Sequence, residues 1–92
     1  MSSPSPQIVV YGASWCPDAR RARRFFDEHG VAYEWIDIDE DNEASNFVRE
    51  TNGGQIVIPV IVFPDKSILV EPSNYQLAKK MEPLLGQADP QS

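Results

Sequence analysis

Apolar and polar positions along this chain change period several times, and each change marks an element. Ile8-Val9-Val10-Tyr11 is a β-branched run closed by Gly12, which predicts a buried strand. From Pro17 to His29 the spacing turns helical. Ala19, Ala22, Phe25 and Phe26 supply an apolar face, proline suits the first helical position, and Gly30 stands where a helix ends. Tyr33 to Ile38 predicts a second strand. Ala44, Phe47 and Val48 predict a helix over Glu43 to Asn52, stopped by Gly53 and Gly54. Val60 to Phe63 and Ser67 to Val70 predict two further strands, paired antiparallel through the tight turn "PDKS". A last helix opens at Pro72-Ser73 and turns Leu77, Met81 and Leu84 inward, with its end blurred by Pro83.

The order β-α-β-α-β-β-α predicts an α/β fold with one mixed four-stranded sheet flanked by three helices. Its first β-α-β forms a right-handed parallel unit. Serine and proline alternate in residues 1–6, and residues 87–92 are polar, so both ends are expected to be flexible around one domain at residues 7–86.

Composition narrows the classes. Ninety-two residues suffice for one core but not two. The net charge of −6 argues against nucleic acid and anionic membrane surfaces as partners. The longest apolar run, Ile56 to Phe63, is broken by Pro59 and is too short to span a bilayer. The opening "MSSPSPQ" lacks the features of a signal peptide. A single cysteine cannot form an intramolecular disulfide, which fits a reducing compartment such as the cytoplasm. A monomer is expected.

That cysteine carries the candidate chemistry. Cys16 stands in "SWCPDA", after a strand and loop and just before a helix starting at Pro17. Unpaired amides and the positive end of the helix dipole favour a thiolate there. Asp18 opposes that effect, while Arg20, Arg21, Arg23 and Arg24 support it through screened charge, so a moderately acidic thiol is expected. The competing reading makes Cys16 a small buried hydrophobe. Trp15 either covers the sheet edge or walls the thiol. Cys-x-x-Cys beside a βαβ pattern is a redox signature, but position 19 is alanine. Cys16 can therefore form a mixed disulfide, and the second thiol must come from elsewhere. His29 reads as a helix-end residue, the acidic run from Glu34 to Glu43 as solvated, and the arginine cluster as a solvated helix face, with docking of an acidic partner protein as its alternative. No metal site is expected.

Val9-Val10-Tyr11 leading into "SWCPDA", then "VAYEWIDIDED", Ile58-Pro59 and "VFPDKSILVEPS" resemble the glutaredoxin family. The resemblance runs over about residues 8 to 85 and is nearest to the small actinobacterial group that includes the mycoredoxins. It implies a thioredoxin-like fold and a thiol–disulfide oxidoreductase. Cys16 would be the nucleophile, and a cis Ile58-Pro59 bond would face it. A low-molecular-weight thiol such as glutathione or mycothiol would be co-substrate, and protein or small-molecule disulfides the substrates. Trp15, Pro17, Asp18, Ile58, Pro59, Ser73 and Asn74 would line the thiol site, with the last two offering amides to a carboxylate. The resemblance also admits a [2Fe–2S] carrier, with one Cys16 from each of two subunits, or a redox-inactive binding module. Ala13 and Ile56 stand where many glutaredoxins have basic residues, and Glu71-Pro72 where a glycine pair is frequent. These departures weaken the case for glutathione, whose carboxylates lose cationic partners.

Overall fold

A computed structural model describes residues 8–87, and side chains through residue 82. Of the ends expected to be flexible, residues 1–6 and 88–92 lie outside the described residues, as does the side chain of Leu84. Gln87 closes a helix.

The elements are β1 (Ile8–Gly12), α1 (Pro17–Glu28), β2 (Tyr33–Asp37), α2 (Asn42–Thr51), β3 (Val60–Val62), β4 (Ile68–Val70) and α3 (Asn74–Gln87). Their order is the one the hydrophobic pattern predicts, with ends displaced by a residue or two. The sheet runs β2-β1-β3-β4. β1 and β2 are parallel with Val10 opposite Trp35, and β1 and β3 are antiparallel with Val10 opposite Ile61. β3 and β4 form the expected hairpin, with Ile61 opposite Leu69.

Local chemistry sets the helix ends. Pro17 starts α1, and Gly30, at φ 67°, lets the chain leave it. His29 Nδ1 donates to the Phe25 carbonyl at 2.8 Å, which places it at the helix end as expected. Asp41 caps α2 by accepting from the Ala44 amide at 3.1 Å. Ser73 and Gln76 form a reciprocal box at the start of α3. α3 then continues through Pro83, one amide bond short.

Two apolar clusters lie on opposite faces of the sheet. Ile8, Val10 and Ile61 pack with Phe26 of α1 and with Leu77 and Met81 of α3. Val60 packs instead with Ala44 and Val48 of α2, together with Cys16, Ala19 and Ile58. The first turn of α1 therefore reaches past the sheet into the second cluster and carries the cysteine with it. Gly12 makes that approach possible, because a Cβ there would lie 2.8 Å from the Ala19 Cβ and 3.0 Å from the Trp35 ring. No helix among the described residues is long and apolar enough to cross a membrane.

Candidate active site

Three chain connections meet beyond the end of β1: the turn into α1, the loop before β3, and the link from β4 to α3. The Glu71 amide donates to the Pro59 carbonyl at 2.8 Å, and Arg21 reaches the Pro72 carbonyl at 3.5 Å. These bonds hold the second and third connections to each other and to α1.

Cys16 is the N-cap of α1, with extended backbone at φ −84° and ψ 118°. Its amide turns back onto the Ala13 carbonyl at 3.0 Å, and its carbonyl accepts the first helical bond from Arg20 at 3.0 Å. Pro17 has no N–H, so the open amides of this helix end are those of Asp18 and Ala19. With the helix dipole, they give the turn that carries the sulfur a positive character.

The Sγ lies 4.0 Å from the Ile58 carbonyl oxygen, with the thiol as donor. The Ile58-Pro59 peptide bond is cis, as the resemblance implied. Cys16 is 7% exposed, so it packs in the manner of a small hydrophobe. The sulfur nevertheless points at the proline loop, which joins two features that the sequence offered as alternatives.

Trp15 is 63% exposed and does not cover the sheet edge. Its Nε1 donates to Asp39 Oδ2 at 2.8 Å, which fixes the indole at the surface beside the cysteine turn. Asp39 is itself set by its own amide, which donates to Asp37 Oδ1 at 2.8 Å. The acidic run is thus solvated, as expected, but one of its carboxylates holds the tryptophan.

Asp18 pairs with Arg21 at 3.2 Å, so its charge does not face the thiol uncompensated. Pro17 is exposed at the helix start, while Pro59 and Pro72 are fully buried. Ser73 departs from its expected place in the site. Its amide already donates to Gln76 Oε1 at 2.8 Å, and its hydroxyl accepts from the Gln76 amide at 3.1 Å. The capping box engages both groups, so the open amides at this helix start are those of Asn74 and Tyr75. Ala13 is buried and Ile56 exposed, so neither position offers a cation. Among the described residues no three His, Cys, Asp or Glu side chains are grouped to hold a metal ion.

Arg21, Asp39 and Glu71 escaped the sequence reading. Glu71 sits at φ 49°, a conformation that favours glycine, at the place where the resemblance pointed to a frequent glycine pair. That departure was the available signal. Asp39 gave none, since it acts on a partner 24 residues away, whereas the i,i+3 spacing of Asp18 and Arg21 was a signal for their pair though not for the reach of Arg21 to Pro72.

The glutaredoxin family model matches residues 8–68, more than half of the chain. The chain belongs to the glutaredoxin family. Mycoredoxin 1 of Corynebacterium glutamicum is 30% identical over 77 residues, spanning 84% of this chain and 95% of that one. The crystal structure of a glutaredoxin from Archaeoglobus fulgidus superposes with a TM-score of 0.65 at 26% identity, covering 80% of this chain and 84% of that one. The buckwheat glutaredoxin–glutathione complex shares the fold, with a TM-score of 0.67 at 19% identity over 87% of this chain and 74% of that one. A glutaredoxin with Cys16 as its one cysteine is consistent with redox activity of the monothiol type.

Proposed function

We propose that this glutaredoxin reduces mixed disulfides between proteins and a low-molecular-weight thiol, using Cys16 alone. The observation that carries the reading is the sulfur at the N-cap of α1, aimed at the Ile58-Pro59 loop in a chain with no second thiol. In the first step the Cys16 thiolate attacks the small-thiol sulfur of the mixed disulfide. That S–S bond breaks, a new one forms to Cys16, and the protein substrate leaves as a thiolate that takes a proton from solvent. In the second step a further small thiol, as thiolate, attacks the same small-thiol sulfur. Cys16 is released, and the two small thiols leave joined by a disulfide, having supplied both electrons.

The site residues take roles that follow from their placement. The amides of Asp18 and Ala19 stabilise the Cys16 thiolate whenever it leaves. Ile58 offers backbone groups to the cysteinyl part of the incoming thiol, against the Pro59 wall. Trp15, held by Asp39, borders the entrance. The amides of Asn74 and Tyr75 receive a carboxylate or other acceptor group. Neutral side chains at Ala13 and Ile56 favour a thiol with fewer carboxylates than glutathione, mycothiol being one. The test is steady-state turnover of a mixed-disulfide substrate with glutathione, mycothiol or bacillithiol. Turnover with at least one thiol, lost in Cys16→Ser, is expected. No turnover with any of them overturns the reading.

A further inference from the structure

Four of the eight cationic residues of this acidic chain lie in α1, at Arg20, Arg21, Arg23 and Arg24. Arg21 is engaged by Asp18 and the Pro72 carbonyl. The other three line a groove of about 260 Å³ that ends at Asp27. Positions 20, 23, 24 and 27 share one helix face. Arg23 is fixed there by edge strand β2: its guanidinium lies 4.1 Å over the Trp35 ring, and its Nε donates to the Tyr33 hydroxyl at 3.4 Å. Arg20 and Arg24 are exposed and form no ion pair among the described residues. Like charges three and four apart repel along a helix, and among the described residues no carboxylate lies within ion-pair distance of Arg20 or Arg24 to offset them.

We infer that this face docks an acidic segment of a protein substrate, an inference that rests on the exchange reaction proposed for Cys16. The strip carries three arginines and one aspartate, so the rest of this chain is more acidic than the whole and the strip is a local excess of positive charge. Arg20 lies one turn from the thiol, its amide bonded to the Cys16 carbonyl at 3.0 Å. A polypeptide whose disulfide engages Cys16 reaches the strip with its flanking residues. Arg20 and Arg24 are separated by roughly 6 Å of helix rise. Carboxylates on alternate residues of an extended segment are spaced by roughly 6.6 Å, which matches the pair and favours a peptide over one small anion. Asp27 then accepts from a donor beyond the acids.

The test uses two ten-residue peptides without cysteine, one carrying four glutamates on alternate positions and the other the corresponding glutamines. Each is titrated into isotopically labelled Cys16→Ser protein, which cannot exchange disulfides. Perturbation of the Arg20, Arg23 and Arg24 signals by the glutamate peptide alone is expected, weakening as salt is raised. Arg20→Glu/Arg24→Glu is expected to lower affinity about tenfold. Equal binding of both peptides, perturbations centred elsewhere, unchanged affinity in the variant, or inorganic phosphate binding as tightly as the peptide overturns the inference. With mixed disulfides of both sequences carrying an added cysteine, the double variant is expected to slow turnover of the acidic one more than that of the neutral one; an unchanged ratio between the two overturns the inference. Wild-type protein inert toward both contradicts the exchange reading instead, while the titration still reports on the groove.

Discussion

Replacing Gly12 by alanine probes a close approach between β1, α1 and Trp35 and the support under the cysteine turn. The added Cβ would lie 2.8 Å from the Ala19 Cβ and 3.0 Å from two carbons of the Trp35 ring. Ala19 is fully buried, so its methyl has nowhere to move without shifting α1. The indole is a rigid plate, pressed from outside by Arg23. Overpacking of this kind costs about 1–3 kcal/mol. With a urea slope of about 1 kcal/mol/M for a small domain, Gly12→Ala is expected to lower the unfolding midpoint by about 1–3 M. Ala19→Gly removes one of the two clashes, although glycine in a helix costs about 1 kcal/mol by itself. Gly12→Ala/Ala19→Gly is therefore expected to be more stable than the sum of the single changes, by at least about 0.5 kcal/mol. Chemical denaturation of the four proteins at one pH measures the cycle. A loss for Gly12→Ala under about 0.5 kcal/mol, with no coupling to Ala19→Gly, would refute the packing argument.

Four further outcomes follow from single contacts. Asp39→Leu frees the Trp15 indole, so in a Trp35→Phe background the fluorescence anisotropy should fall; unchanged anisotropy would mean the 2.8 Å bond does not hold the ring. Ser73→Ala removes the cap of α3 and should cost about 0.5–2 kcal/mol in denaturation, with the Gln76 amide left open. Glu71→Gly relieves the positive φ at the link to α3, so thermal unfolding should show no loss, whereas Glu71→Val should cost about 1 kcal/mol or more. Asp65 is held well below the usual carboxylate range by bonds from the Ser67 hydroxyl and amide and then from Lys80. A lowered folded-state pKa stabilises above the unfolded value, so the stability gap between wild type and Asp65→Asn should be full above about pH 4 and shrink as the pH falls further. A gap that does not change with acid would contradict the assignment.

The fold was legible because each element carries its own local signature. The β-branched runs, Pro17, Gly30 and Gly53-Gly54 fix type and order without reference to distant residues. The cysteine turn was legible for the same reason, since strand, loop and proline are contiguous. The depth of Cys16 was not, because it is set by Ala44 and Val48 from α2 and by Ile58. The indole of Trp15 depends on Asp39, 24 residues away. The use of the Ser73 amide was legible in principle, as serine followed three residues later by glutamine signals a capping box. Glu71 shows a limit of another kind: a residue ill suited to its backbone conformation does not mark its own turn, and the signal lay in the glycine pair frequent at that place in the resembling family.

The central claim concerns one sulfur, 7% exposed yet set at a helix start and turned to the Pro59 loop. The direct measurement is the rate at which a small symmetrical disulfide adds one thiol unit to Cys16, followed by intact mass. It is run on native protein and on the same protein unfolded in urea, at one neutral pH. The account predicts faster addition to the native protein, stoichiometric at one unit and reversed by excess thiol. Slower addition to the native chain than to the unfolded one would show a cysteine that only fills space.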